Sequence, residues 1–235
     1  MQKSSWHILS TRPLSKEIVE QAFEQGIEIE EVSFIETVPV IDEVLQKEIK
    51  TFSGQKLTVV FTSMNAVEAV ANTIGKKVDW TVYSIGSATQ KLVEEKLGVE
   101  VKASAAYAAE LADKIIADAP AEVYFFCGNI RRDLLPQKLK EAGIKVHESI
   151  VYKTIETPKR ILRRFDGILF YSPSAVESFF SVNIIDYKTQ LFAIGTTTAE
   201  ALQPYSPQNV IIANSPGKEE LVQQAIRHFN TKRNE

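Results

Sequence analysis

Residues 60–68 of this chain, VFTSMNAVE, return in altered form as LFYSPSAVE at residues 169–177. A second segment, SIGSAT at residues 84–89, is matched by AIGTTT at residues 193–198. Both pairs are separated by the same 109 residues, so the two segments are repeated together, in order and in spacing. A fixed internal period marks a duplicated structural unit. We therefore predict two similar lobes.

Short apolar segments alternate with amphipathic segments along most of the chain, which is the pattern of βα units. The predicted fold class is therefore α/β, with parallel sheets flanked by helices. The predicted strands are Trp6–Ser10, Leu57–Thr62, Thr81–Ile85, Glu122–Cys127, Gly167–Tyr171, Leu191–Ile194 and Val210–Ala213.

A weaker repeat lies outside the segments quoted above. A strand, a helix, Gly26 and a strand at residues 27–32 are matched by a strand, a helix, Gly143 and a strand at residues 144–149. The spacing of this second repeat is 117 residues. The chain therefore consists of four units, in which the third resembles the first and the fourth resembles the second.

Two polar, β-branched stretches follow these strands and suit extended linkers, residues 34–39 and residues 151–154. Two linkers divide the chain into a discontinuous domain and an inserted domain. The discontinuous domain is predicted at residues 1–33 and 155–235, and the inserted domain at residues 40–150.

Composition excludes several classes of protein. With 235 residues, 44% of them hydrophobic and 24% charged, the chain is long enough for two folded cores. A net charge of −3 predicts no nucleic-acid partner and no attraction to an anionic membrane, so a polyanion would have to be held locally. The single cysteine, Cys127, and a start without an apolar signal segment indicate a cytoplasmic protein. The three histidines lack metal-ligand spacing, so no metal is expected.

Nucleotide-dependent chemistry and nucleophilic hydrolysis are disfavoured by missing motifs. The chain contains neither G-x-x-x-x-G-K-[ST] nor G-x-G-x-x-G, the two phosphate-binding fingerprints. It also lacks the G-x-S-x-G turn of a serine hydrolase. We therefore expect no organic cofactor.

Hydroxyl-rich segments follow several predicted strands. Ser174 to Glu177, Ser87 to Gln90 and Thr197 to Glu200 each match a capping box, and plain helix capping is their simplest interpretation. However, Ser172–Ser174 and Gly195–Thr198 come directly after strands, where parallel sheets bind ligands. Free N–H groups at a helix start hold carboxylates or phosphates without lysine. These segments are therefore candidate anion-binding sites.

Three arginines and one basic run complete the charged candidates. Arg12 follows the first strand, where it can bind a carboxylate of a ligand or pair within the protein. Arg131 and Arg132 follow the strand that ends at Cys127, and only one of them is expected to face a ligand, because neighbours on a helix point in different directions. The run Lys159–Arg164 predicts an exposed amphipathic helix.

Tyr152 lies in the second linker. Its ring can pack between lobes with the hydroxyl in water, or the hydroxyl can donate a proton to a leaving group. The residues alone leave both interpretations open. Cys127 ends an apolar strand and is predicted to be a buried apolar side chain and not a nucleophile.

Six segments carry a resemblance to a known family: Thr11–Pro13, Phe61–Val67, Gly128 with Arg131 and Leu134–Leu135, Val151–Thr154, Ser172–Ala175, and Ile194–Ala199. In their order and spacing, over nearly the whole chain, they resemble the uroporphyrinogen-III synthase family. Ala175 and Thr196 depart from the Gly and Pro that many relatives carry. These departures concern loop geometry and leave the predicted fold unchanged.

The resemblance implies two α/β lobes joined by two extended linkers. It implies a cofactor-independent lyase that closes hydroxymethylbilane into uroporphyrinogen III, inverting ring D and releasing water. It also implies that Tyr152 assists the departure of the hydroxyl group. The side chains expected to hold the acetate and propionate groups are Ser63, Ser172, Ser174, Thr197 and Thr198. The rest of the expected substrate-binding set is Arg12, Asn65, Ser87, Arg131, Ala175 and Gly195.

The expected partner is therefore the linear tetrapyrrole, with a transient contact to the preceding enzyme of the pathway, and a monomer is expected. Two alternatives are a two-lobed binding or sensor module that closes by hinge motion, and a non-catalytic relative of the synthase. The missing secretion signal and DNA-binding segment count against the first. The presence of Tyr152, Thr197 and Thr198 counts against the second.

Overall fold

The computed structural model describes residues 6–74, 78–131, 133–206, 209–215 and 217–233. Its strands are β1 (Trp6–Ser10), β2 (Ile27–Glu31), β3 (Ile35–Pro39), β4 (Thr58–Phe61), β5 (Thr81–Ile85), β6 (Val101–Ala105), β7 (Glu122–Gly128), β8 (Lys145–Glu156), β9 (Gly167–Phe170), β10 (Gln190–Ala193) and β11 (Val210–Ile212). Its helices are α1 (Lys16–Glu24), α2 (Glu43–Phe52), α3 (Met64–Ile74), α4 (Ser87–Leu97), α5 (Ala108–Asp118), α6 (Leu134–Glu141), α7 (Pro173–Phe180), α8 (Thr196–Leu202) and α9 (Lys218–Arg233). The predicted α/β class is confirmed.

The chain separates into two compact units. Unit 1 comprises Met1–Glu36 and Ile155–Glu235, and unit 2 comprises Thr37–Thr154. Among the helices of the described residues, none is long and apolar enough to cross a membrane.

The sheet of unit 1 has the strand order β11-β10-β9-β1-β2, and every neighbouring pair is parallel. Successive side chains of a strand face opposite sides. Ile8 and Leu169 therefore pack with α1 and α9 on one face, whereas Leu9 and Phe170 pack with α7 and α8 on the other. Every residue of β9 and β10 is buried, as a parallel sheet covered on both faces requires.

The six-stranded sheet of unit 2 has the order β3-β8-β7-β4-β5-β6, and the pairs from β8 to β6 are parallel. Val59 and Phe61 of β4 pack with α3 and α4, whereas Val60 between them packs with α5 and α6. Helices therefore cover both faces of this sheet as well.

The repeat of 109 residues corresponds to two copies of one βαβα unit, β4-α3-β5-α4 and β9-α7-β10-α8. Ser63 and Ser172 occupy the residue before the first helix of each copy, and Gly86 and Gly195 occupy the residue before the second helix. The repeat therefore places matching residues at matching edges of two sheets.

The segments predicted as extended linkers are strands. Residues 34–39 include β3, and residues 151–154 lie within β8. The amide of Val40, which directly follows β3, donates to the carbonyl of Val151 at 3.1 Å. Both segments are thus extended chain that forms main-chain hydrogen bonds.

The helix predicted for the basic run Lys159–Arg164 is wrong, because this segment is irregular. The side chain of Asn183 accepts a hydrogen bond from the amide of Ile161 and donates to the carbonyl of Lys159, both at 2.8 Å. Asn183 is buried. A buried side chain from a distant segment therefore binds the main-chain groups that a helix would use.

Candidate functional site

Unit 2 contains a cavity of about 410 Å³ at the carboxyl ends of β4, β5 and β7. Parallel sheets bind ligands at this edge. The polar side-chain groups at its wall come from Thr62, Ser63, Arg131 and Tyr152, together with the hydroxyl of Tyr107. The remaining wall is largely apolar and includes Ile85, Tyr107, Ala108, Phe125, Ile130, Leu134 and Leu135. Apolar walls with few polar groups are typical of a small-molecule site.

Tyr152 lies on β8 and is half-buried at the wall of this cavity. Its ring lies against Gly128, where an added Cβ would come within 2.5 Å of the ring atom Cζ. No group in the described part of the chain forms a hydrogen bond with the Tyr152 hydroxyl. The hydroxyl can therefore bond to a molecule in the cavity without breaking an internal contact.

Arg131 also lines the cavity, but its guanidinium is paired inside the protein with Asp133 and Glu148. Lys140 shares the Glu148 carboxylate at 2.8 Å. Partial burial is the largest single influence on the pKa of Arg131 and lowers it, but the interactions with Glu148 and Asp133 together outweigh burial, and the net pKa is raised. Arg131 is thus a charged side chain whose charge is already largely neutralised. Its neighbour Arg132 lies outside the described residues.

The hydroxyl-bearing candidates of unit 2 differ in their surroundings. Ser63 lines the cavity, and its Oγ accepts from the amide of Asn65 at 3.2 Å. Asn65 is the second residue of α3 and is not among the cavity residues. Ser87 is the exposed first residue of α4 and is also not among them. The cavity therefore brings together Ser63, Arg131 and Tyr152 from the predicted set.

In unit 1 the predicted residues lie at the carboxyl ends of β1, β9 and β10. Ser174, Ala175 and Thr198 are buried in the first turns of α7 and α8. Gly195 precedes α8, and a Cβ added there would meet no atom within 4 Å. Thr197 is half-buried. A carboxylate of a ligand can thus come close to the main chain at Gly195. It cannot come as close to the buried side chains of Ser174 and Thr198.

Arg12 in unit 1 is exposed and lies over the ring of Tyr171, with its Cζ 5.7 Å from the ring centroid. Burial raises the pKa of Tyr171 to about 12. Desolvation lowers the pKa of Lys218, and the positive charge of Arg12 lowers it further. Two cations that repel each other at one sheet edge favour a bound anion between them. Lys218 was not predicted, because it lies far from Arg12 in sequence and follows no recognisable motif.

The three predicted capping boxes are wrong in position. Helix α7 begins at Pro173, whose fixed φ suits the first helical residue. Its cap is Ser172, whose Oγ accepts from the amide of Ala175 at 3.2 Å. Helices α4 and α8 follow Gly86 and Gly195, which have no side chain to cap with. The predicted caps Ser174, Ser87 and Thr197 lie inside their helices.

Cys127 is buried, as predicted, and its Sγ lies 3.7 Å from the carbonyl oxygen of Ser149. Burial raises the pKa of the Cys127 thiol to about 11, so it stays protonated at neutral pH. Among the residues that the structure describes, no group of three or more His, Cys, Asp or Glu side chains could hold a metal ion.

Comparison with known proteins identifies the family. The family model described as "Uroporphyrinogen-III synthase HemD" matches residues 16–223. The uroporphyrinogen-III synthase of Saccharomyces cerevisiae is 26% identical over 201 residues, which cover 70% of this chain and 73% of the yeast protein.

Two solved structures share the fold. The uroporphyrinogen-III synthetase of Helicobacter pylori is 17% identical, with a TM-score of 0.66 and coverage of 95% of this chain and 99% of that one. A mutant uroporphyrinogen III synthase of Thermus thermophilus is 15% identical, with a TM-score of 0.64 and coverage of 97% of this chain and 100% of that one. These likenesses extend over both units.

Proposed function

The chain belongs to the uroporphyrinogen-III synthase family, and on that premise we propose that the cavity beside Tyr152 is where its reaction begins. The enzyme is a cyclising lyase. It closes hydroxymethylbilane into uroporphyrinogen III, inverts ring D and releases water.

The observation that carries the proposal is the Tyr152 hydroxyl, which has an apolar cavity on one side and no hydrogen-bond partner among the described residues. Tyr107, Phe125 and Leu135 give the cavity an apolar, partly aromatic wall against which a pyrrole ring can pack. A hydroxyl placed at such a wall can bond to a group on the ring's edge. Thr62, Ser63 and Tyr107 supply further hydroxyls at the same cavity.

We assign Tyr152 the role of general acid in the first step. The bond between the terminal carbon and its hydroxyl oxygen breaks as Tyr152 donates its proton to that oxygen, and water leaves. The pyrrole nitrogen supplies the electron pair that replaces the broken bond. The phenolate then takes the N–H proton, which gives a neutral azafulvene and restores Tyr152.

The later steps depend on how the substrate is folded. Ring D attacks through its substituted α-carbon, and the spiro intermediate that results breaks and closes again with the ring inverted. An enzyme accelerates this route by holding one folded arrangement of the linear substrate in preference to another. Apolar walls at the cavity and anchored carboxylates elsewhere on the substrate serve that purpose.

Arg12 and Lys218 are the proposed charged anchors for substrate carboxylates in unit 1. The protein carries a net charge of −3, so a polyanionic substrate must be held by local positive charge. We assign Ser172, Thr197 and the amides at Gly195 to the same task, with Ser174, Ala175 and Thr198 shaping the helix starts behind them. In unit 2 we assign Arg131 to the part of the substrate inside the cavity, and Asn65 and Ser87 to the part outside it.

The direct test mixes purified protein with freshly made hydroxymethylbilane, oxidises the products and separates the type I and type III isomers by chromatography. We expect type III well above the protein-free control. Tyr152→Phe should bring the type III fraction close to that control. Tyr187→Phe, which removes an exposed hydroxyl from unit 1, should act like the unchanged protein. Type I alone from the unchanged protein would favour a non-catalytic relative.

We also propose that the two units are independent domains with limits near the predicted linkers, supported by the separation of 1–36 with 155–235 from 37–154. We propose that the enzyme works as a cytoplasmic monomer. A transient contact with the preceding pathway enzyme would deliver the unstable bilane directly. Sedimentation at micromolar concentration tests the monomer, and limited proteolysis tests the domain limits.

A further inference from the structure

The backbone at Tyr152 departs from regular strand pairing. The register of β7 and β8 is regular from Glu122 to Cys127, which pairs with Ile150. The next residue of β7, Gly128, pairs with Tyr152 and not with Val151. Val151 is therefore the extra residue of a bulge in β8. Neighbouring residues of a regular strand face opposite sides, yet Val151 and Tyr152 both pack against the same core cluster. The bulge turns Tyr152 away from the direction that regular pairing would give it.

Gly128 leaves the space that the Tyr152 ring occupies. A Cβ added at Gly128 would lie 2.5 Å from Cζ, 2.7 Å from Cε2 and 2.8 Å from the hydroxyl oxygen of Tyr152. These distances are far below van der Waals contact, so any other side chain would displace the ring. The three atoms are those at the hydroxyl end of the ring. Gly128 therefore determines where the hydroxyl lies.

Asn129 holds the main chain of β8 at Tyr152 and at Thr154, two residues further on. Its amide donates to the carbonyl of Tyr152 at 3.2 Å, and its Oδ1 accepts from the amide of Thr154 at 2.8 Å. β7 ends at Gly128, so the Asn129 side chain supplies the acceptor that a further strand residue would have supplied. Asn129 itself is exposed and is not among the cavity residues.

We infer that Gly128 and Asn129 are positioning residues that hold the Tyr152 hydroxyl at the cavity. This inference rests on the proposed role of Tyr152. Neither residue donates a proton or lines an anion site, so both act through the place and direction of the phenol. A small displacement of a catalytic group lowers the rate of the chemical step while leaving most substrate contacts unchanged.

The first experiment compares Asn129→Ala with the conservative variant Asn129→Asp. Alanine loses the acceptor for the Thr154 amide, whereas aspartate keeps an oxygen in the same position. For Asn129→Ala we expect kcat for type III formation to fall about tenfold, with KM changed less than about twofold. Asn129→Asp should restore most of the rate. Equal loss in both variants, or a change confined to KM, would overturn the inference.

A double-mutant cycle separates positioning from a general structural role. In a Tyr152→Phe background no hydroxyl remains to be placed, so Asn129→Ala should cost little further rate. A full tenfold loss in that background would contradict the inference. If Tyr152→Phe alone were fully active, the acid role of Tyr152 would be wrong, and that result is visible before the cycle is completed.

A second measurement reports the ring directly and does not depend on activity. In protein with carbon-13-labelled tyrosine, the Tyr152 ring signal is identified by its loss in Tyr152→Phe. We expect this signal to shift in Asn129→Ala and to return in Asn129→Asp. An unmoved signal in Asn129→Ala overturns the inference whatever happens to turnover.

Gly128→Ala tests the same inference at the contact between Gly128 and the Tyr152 ring. The added methyl group should displace the ring, move its signal and lower kcat more than Asn129→Ala does. Where this variant fails to fold, which thermal unfolding reveals, the Asn129 pair still decides the question.

Discussion

In unit 2 the strand ends of β4, β5 and β7 border a largely apolar cavity with Tyr152 at its wall, whereas in unit 1 the strand ends of β1 and β9 lead to two cations. Both edges belong to parallel βα sheets, and the copies of the repeat lie at both. The first edge is suited to a reacting ring and the second to carboxylates. Similar backbone units have therefore acquired different chemistry through a few side chains.

This contrast has a kinetic meaning. A group that acts only on the departing hydroxyl changes kcat, and a group that binds a carboxylate equally well throughout the reaction changes KM. The predictions below test that division from the largest expected effect to the smallest.

Tyr152→Phe should lower kcat for type III formation by about 100-fold, because the general acid is lost. KM should change little, since the ring and the apolar walls remain. Steady-state kinetics with fresh bilane measures both values. A rise in KM with kcat unchanged would make Tyr152 a binding residue and remove the contrast between the two edges.

Arg12→Gln should raise KM about tenfold with kcat nearly unchanged, because one charge-assisted contact to a carboxylate is lost. Lys218→Gln should act in the same direction. For the unchanged protein KM should also rise with salt, since ions screen the attraction. This salt dependence should be weaker in both variants. A loss of kcat at either position would place chemistry in unit 1.

Ser172→Ala should lower the free energy of unfolding by about 1 kcal/mol, because α7 loses the side chain that caps it. The control change Ser87→Ala should cost less than about 0.5 kcal/mol, since Ser87 is the exposed first residue of α4 and does not cap it. Urea unfolding measures the free energy of unfolding of both variants. Equal losses would show that the Ser172 side chain stabilises α7 no more than an uncapped serine stabilises α4.

Cys127 should not react with a thiol reagent at pH 7.5 in the folded protein. Its side chain is buried, and a pKa of about 11 leaves less than about one thiolate in a thousand at that pH. One equivalent should react after unfolding in urea. Ser87→Cys, which adds an exposed thiol to the same unit, is the positive control. Rapid labelling of Cys127 in the folded protein would add a second reactive group to the edge of unit 2.

Strands were the most predictable part of the fold. β1 and β5 were predicted with their observed limits, Trp6–Ser10 and Thr81–Ile85, because short apolar runs between turn residues are local signals. β6 was not predicted. Its sequence, VKASA, has one large apolar side chain, and its burial comes from pairing with β5.

Helix starts and the basic segment were less predictable. A capping pattern fits several neighbouring residues equally well. In the structure α7 starts at Pro173, and α4 and α8 start directly after Gly86 and Gly195. The run Lys159–Arg164 has helical spacing, but Asn183 binds its main chain from a distant segment. Tertiary contacts outweigh weak local propensity in such cases.

The candidate site was only partly predictable. Ser63, Arg131 and Tyr152 could be chosen from motifs, whereas Tyr107 and Ile130 could not, since neither lies in a motif. The ion pair of Arg131 with Glu148 could not be predicted either, because Arg131 lies in the loop after β7 and Glu148 lies 17 residues later on β8.

The α/β class and the duplicated order of its units could be established from the amino acids alone, because both depend on apolar patterns along contiguous chain and on one constant spacing. The cavity, the proximity of Arg12 and Lys218 and the placement of Tyr152 on Gly128 required the folded molecule. Each arises where segments far apart in the chain pack together. Such contacts depend on distances and directions that no local pattern of residues contains.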